Sequence, residues 1–135
     1  MNNIIYICLK LDEPSKSKLI QITKELFRET HPKLYCDHLT LAFGKQVKNF
    51  DMELIGQETT LSSSTIAYDD KCVALVIDPY QVIEFGVNNE HPHITMATDG
   101  MTKPVYSNEL ISTNPEIEEL DEPITLSAIV TPISR

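Results

Sequence analysis

The apolar positions of this chain recur at two spacings, one suited to strands and one to a helix. Residues 3–9 are rich in β-branched and aromatic types and predict a strand. Pro14 then stands where a helix favours its first turn, with Asp12 and Glu13 beside it at the positive end of the dipole. Leu19, Ile22, Leu26 and Phe27 follow at helical spacing, and Ile20 widens the stripe. The helix should stop near Thr30, because His31 precedes Pro32 and is pushed out of the helical region. A strand ending at Gly44 comes next. Residues 53–57, 63–68 and 72–77 each read as extended, with a turn at Asp69-Asp70 and a stop at Asp78-Pro79. Residues 81–85 fit either a strand or a short helix. Asn88-Asn89-Glu90 reads as a loop leading to a further strand from Pro92, and Asp99-Gly100 reads as a turn. Residues 103–112 should hold a short helix after Pro104, 116–122 an acidic surface segment, and 124–132 a closing strand. Runs of strands with helices outside them predict an α+β fold, in one domain over residues 1–135.

Within this pattern one pentapeptide occurs twice. His38-Leu39-Thr40-Leu41-Ala42 returns as His93-Ile94-Thr95-Met96-Ala97. Side chains alternate along a strand, so His, Thr and Ala should share one face of each copy and the apolar residues the other. Leu41 and Met96 are then core. The repeat hints at two similar lobes whose pseudo-symmetry brings the copies together at a central cleft. A single histidine beside a threonine is ordinarily a satisfied sheet residue. Two matching pairs read differently. Two imidazoles facing each other supply a proton donor and a proton acceptor near neutral pH, and two hydroxyls suit anionic oxygens. The combination points to acid–base chemistry on a phosphate ester.

Charge narrows the substrate. The net charge of −9 argues against an extended nucleic-acid-binding surface, which usually carries a basic stripe. Eight of the eleven basic residues lie in positions 1–48, which hold only five acidic ones. The expected partner is therefore a small nucleotide in a pocket or an RNA terminus on a local patch. No apolar run approaches the roughly 20 residues that span a bilayer. The start, Met1-Asn2-Asn3-Ile4-Ile5-Tyr6, lacks the basic region of a signal peptide. Cys8, Cys36 and Cys72 are odd in number and set among apolar neighbours, which fits buried thiols in a reduced compartment. A cytoplasmic monomer without membrane contact is the expectation.

The paired motifs His38-Leu39-Thr40 and His93-Ile94-Thr95, with the segments 37–44 and 92–98 around them, resemble the 2H phosphoesterase superfamily. So does the order of elements over most of the chain. The resemblance implies a bilobal α+β fold, with antiparallel sheets lining a central groove and helices outside. It implies metal-independent hydrolysis of RNA-derived or nucleotide phosphodiesters, often 2′,3′-cyclic phosphates, with no cofactor. His38 and His93 are then the candidate catalytic pair, with acid and base unassigned between them. Thr40 and Thr95 are the candidate phosphate ligands, and Ala42 and Ala97 leave room for substrate.

Weaker candidates for contacting substrate are Tyr6, by stacking on a base, Lys45 and Lys103, each after a motif strand, and Tyr106 with Ser107. Each has an ordinary explanation in packing, capping or solvation. His91-Pro92-His93 invites a zinc or copper site shared with His38, but no cysteine or carboxylate has ligand spacing nearby, and no metal is expected. His31 reads as structural or exposed. Other functions stay open: a hydrolase of signalling molecules such as cyclic oligonucleotides or 2′–5′ oligoadenylates, or a module that binds a nucleotide or RNA end without turnover.

Overall fold

The structure, a computed structural model, describes residues 3–86 and 91–134. Met1-Asn2 and the loop expected at Asn88-Asn89-Glu90 lie outside the described residues. In chain order the elements are β1 (Ile4–Leu11), α1 (Glu13–Phe27), β2 (Lys33–Leu34), β3 (His38–Phe43), β4 (Glu58–Tyr68), β5 (Cys72–Val76), β6 (His93–Thr98), α2 (Tyr106–Ser112) and β7 (Glu116–Ser134). Short 3₁₀ segments occupy Gly44–Asn49, Met52–Leu54 and Pro79–Phe85. The last of these settles residues 81–85 as helical: Pro79 starts the turn, and the Asp78 side chain accepts from the Tyr80 N–H.

All pairings are antiparallel, in the order β2-β6-β3-β1-β7-β4-β5. β5 also pairs with β6, so the ladder returns on itself. The long strands β4 and β7 carry this sheet through two lobes. Their pairing runs from Glu58↔Ile129 to Ser63↔Ile124, shifts register between Ser63 and Thr65, and resumes through Tyr68↔Glu116. β1 and β3 extend the first half, while β5, β6 and β2 extend the second. This is the expected α+β fold with a large antiparallel sheet and few helices.

One expectation is extended here and one fails. Residues 116–122 are the expected acidic surface segment and also belong to β7. Most of their side chains are exposed, so no alternation marked them, and only pairing with β4 makes them a strand. Residues 53–57 are not extended. They begin in the 3₁₀ turn Met52–Leu54 and pass through Gly56, whose φ of 93° needs a residue without a Cβ.

α1 begins as predicted, with Asp12 capping the Ser15 N–H at 2.9 Å and Pro14 in the first turn. Its buried line is Ser15, Leu19, Thr23 and Phe27, while Leu26 is exposed. The face is turned from the predicted one because two small polar residues are satisfied inside. Thr23 Oγ1 donates to the Leu19 carbonyl at 2.7 Å, and Ser15 Oγ accepts from the Ser127 N–H at 2.8 Å. The bond between Ser15 and Ser127 ties α1 to β7. The core beneath holds Leu9, Leu39, Leu75, Ile94 and Leu126, all inaccessible to solvent. Cys8, Cys36 and Cys72 are buried free thiols. Burial pushes Cys8 up to about 12 and Cys36 to about 11, so both stay protonated.

Candidate active site

The two repeat strands are neighbours in the sheet. β3 and β6 meet with Leu39 opposite Ile94. Both are fully buried, which turns the residues on either side of each toward the other face. Continued one residue each way, the antiparallel register sets His38 across from Thr95 and Thr40 across from His93. All four side chains are half-buried and line one cavity of about 1230 Å³.

Strict alternation along the motifs breaks after the threonines. β1 pairs Ile7 with Ala42 but Cys8 with Thr40, and β5 pairs Val73 with Ala97 but Ala74 with Thr95. Leu41 and Met96 are therefore bulge residues at equivalent positions. The bulge at Leu41 re-aims the side chains beyond it. Phe43, which alternation places in the core, is 61% exposed and lines the cavity beside Tyr6, with ring centroids 6.3 Å apart. Ala42 also lines the cavity. Ala97 is fully buried and does not, which corrects the expectation that both alanines make room for a ligand.

His38 is held by an acid. Its Nδ1–H donates to Asp37 Oδ2 at 3.4 Å, since a carboxylate only accepts, and Lys16 donates to Asp37 Oδ1 at 3.2 Å. Burial raises the Asp37 pKa, but the bonds from Lys16 and His38 outweigh it and hold this carboxyl below the ordinary range. The Tyr6 ring lies 5.4 Å from the His38 ring. Asp37 has no periodic signal in the sequence. Its position directly before the first motif was the available clue.

His93 is held by a neutral group. Its Nδ1–H donates to the His91 carbonyl at 2.8 Å, which leaves Nε2 with a lone pair. Burial, the largest influence, lowers the His93 pKa. The bond to His91 acts the other way, and the charges of His38 and His91 lower it further. The ring is therefore neutral at pH 7. Thr95 sits in a chain of hydroxyls. Its Oγ1 is 2.8 Å from Ser107 Oγ and 3.3 Å from the Pro104 carbonyl, and Ser107 Oγ is 3.3 Å from Cys72 Sγ. With Cys72 donating to Ser107 and Ser107 to Thr95, the Thr95 proton points at Pro104 through a long bond.

Of the weaker candidates, only Tyr6 lines the cavity. Lys45 and Lys103 are exposed and do not line it. Tyr106 faces elsewhere: its hydroxyl donates to Asp69 Oδ2 at 2.5 Å, and Lys71 Nζ lies 5.4 Å from its ring centre. Ser107 is fully buried and reaches the site through Thr95. His31 is buried between Thr30 and the Asp69 carbonyl, a structural role. His91 lines the cavity, and its carbonyl holds His93. Among the described residues, no group of three or more His, Cys, Asp or Glu is arranged to hold a metal ion, and no helix is long and apolar enough to cross a membrane.

A family model described as the fungal tRNA ligase phosphodiesterase domain matches residues 18–130. Among solved structures, the chain is similar to a fungal RNA kinase, with a TM-score of 0.65 and 14% identity over 96% of this chain. It spans only 46% of that protein's length. It is also similar to LigT of E. coli complexed with 3′-AMP, at a TM-score of 0.56 and 15% identity, covering 98% of this chain and 96% of that one. LigT complexed with phosphate gives a TM-score of 0.56 and 15% identity, over 98% and 95% of the two chains. At these identities the likeness is one of fold. No curated protein sequence matches the chain.

Proposed function

We propose that this chain, which belongs to the fungal tRNA ligase phosphodiesterase domain family of the 2H phosphoesterase superfamily, hydrolyses a 2′,3′-cyclic phosphate at an RNA end or on a small nucleotide. One observation carries the reading: the direct pairing of β3 and β6, which delivers both His-x-Thr motifs to a single cavity. The roles follow from what holds each ring. His93, neutral and presenting a bare Nε2, takes a proton from the attacking water as the new P–O bond forms. His38 carries a proton on Nε2 while its Nδ1–H rests on the Asp37 carboxylate, an acceptor suited to a positively charged ring. It gives the Nε2 proton to the departing sugar oxygen as the old P–O bond breaks. The proton count balances when His93 hands its proton back through solvent. Thr40 and Thr95 donate to the non-bridging oxygens as charge accumulates there.

The test is an assay of purified protein on nucleoside 2′,3′-cyclic phosphates and on oligonucleotides with cyclic-phosphate, linear, macrocyclic or 2′–5′ linkages, with and without EDTA. His38→Ala and His93→Ala should each lower kcat by about a thousandfold or more, and the double variant little further, because the two act as a unit. Full activity in either single variant would falsify the assignment.

A further inference from the structure

Between β2 and β3 the chain changes partners. β2 pairs with β6 as Lys33↔Thr98 and Leu34↔Ala97, and the N–H groups of Tyr35 and Cys36 continue that ladder to the Met96 and Thr95 carbonyls, each at 2.9 Å. β3 then meets β6 at Leu39↔Ile94. β5 occupies the other edge of β6 from His93 to Thr98, so β2 and β3 share one edge. Thr95 and Ile94 are adjacent, while Asp37 and His38 stand between Cys36 and Leu39 and are looped out of this ladder. They join β1 instead: the Asp37 carbonyl accepts from the Leu11 N–H at 3.0 Å, and His38 lies opposite Lys10. The switch falls at Cys36, whose φ of 53° lies in the left-handed region. A bulge opened by a left-handed residue is a place that glycine ordinarily takes. Any other residue persists there only when its surroundings hold it. Here they do. The Cys36 side chain is inaccessible to solvent, its Sγ donates to the Met96 carbonyl at 3.4 Å, and it lies 3.4 Å from Thr23 Oγ1 on α1.

We propose that Cys36 is a positioning residue for the first motif. Its left-handed backbone, held by the buried thiol, turns Asp37 and His38 off β6, so that the carboxylate reaches Nδ1 and the ring lines the cavity. The effect on turnover rests on the phosphodiesterase reading above. C36T keeps a donor for the Met96 carbonyl, but a β-branched residue is a poor occupant of positive φ. It should force the turn out of the left-handed region and draw Asp37 away from His38. The expected loss is that of D37N, about 10–100-fold in kcat with KM changed less than about threefold. D37N added to C36T should lower kcat little further, because both remove one interaction. C36G has no Cβ and keeps the turn while losing the thiol, so it should hold kcat within about threefold of the parent even where the fold is weaker.

The experiment measures kcat and KM of the parent, C36T and C36G on adenosine 2′,3′-cyclic phosphate, under conditions where urea melts show each to be folded. It also records the imidazole nitrogen resonances of His38 without substrate, with D37N as the reference. The His38 signals should move in C36T toward their D37N positions and stay near the parent's in C36G. Folded C36T with the parent's kcat and resonances overturns the positioning role. So does a C36G loss greater than about threefold, which assigns the effect to packing of the thiol rather than to the turn. If C36T does not fold, C36G decides alone, by kcat and by the same resonances. The resonances also keep the two readings apart. If the parent hydrolyses nothing but C36T takes on the D37N pattern and C36G does not, the enzymatic reading fails and the positioning role stands. If the His38 signals of folded C36T match the parent's, the positioning role fails whatever the turnover.

Discussion

Replacing Asp37 by asparagine removes the charge behind His38 and keeps the side-chain shape. The contact is 3.4 Å, and the Asp37 and His38 side chains are 42% and 30% exposed. Water-like screening is therefore the fair assumption. Coulomb's law then gives about 1.2 kcal/mol for unit charges at this separation, or roughly an eightfold change. Losing the orientation of the ring adds to this; outer partners that orient metal-ligating histidines cost about 10–100-fold in affinity or activity when removed. D37N should thus lower kcat by about 10–100-fold with KM changed less than about threefold, because the charge matters when His38 carries its proton rather than when substrate binds. Stability should fall by no more than about 1 kcal/mol, since the Lys16 pair is a partly exposed ion pair in reach of solvent screening. Steady-state kinetics on a cyclic nucleotide, with a urea melt of the same sample, measures both. A kcat within threefold of the parent, or a loss wholly explained by unfolding, refutes the claim that Asp37 prepares His38.

Three further outcomes are expected. S107A deletes the donor to Thr95 and should lower kcat/KM about tenfold while costing about 1 kcal/mol of stability. Thr95→Val should lose at least as much activity, and adding S107A to it should cost little more. L39A opens a hole at the meeting point of the motif strands and should cost about 2–5 kcal/mol by urea denaturation, with activity falling in step. His93 has a folded pKa below its unfolded value near 6.5, so between the two the unfolded chain binds more protons and stability rises with pH. Stability should be complete above about pH 6.5 and decline as pH drops through that window, and His93→Gln should flatten this part of the curve.

The strands that carry the site were legible because each needs one buried face, and a two-residue alternation around His38 and His93 records it. The start of α1 was legible for a different reason: Asp12 and Pro14 act within one turn and need nothing distant. What stayed hidden depends on partners. The orientation of α1 rests on Ser127 and Leu19 satisfying Ser15 and Thr23, which the pattern of apolar residues cannot report. The strand at 116–122 is set by its pairing with β4, and its exposed residues leave no period to read. The bulges at Leu41 and Met96 separate the predicted face from the observed one, moving Phe43 into the site and Ala97 out of it. Lys45 and Lys103 follow their motifs in sequence, but nearness in sequence did not become nearness to the cavity. Gly56 at φ 93° was a visible sign that residues 53–57 turn, set against a run that otherwise passed for a strand.

The most direct test of the shared site is a titration with adenosine 3′-phosphate, following the imidazole nitrogen resonances of His38 and His93 by NMR. The Nε2 signals of both rings should move together, with one Kd and at one ligand per chain. Movement of one ring alone, or two rings reporting different affinities, would contradict a single cavity served by both motifs.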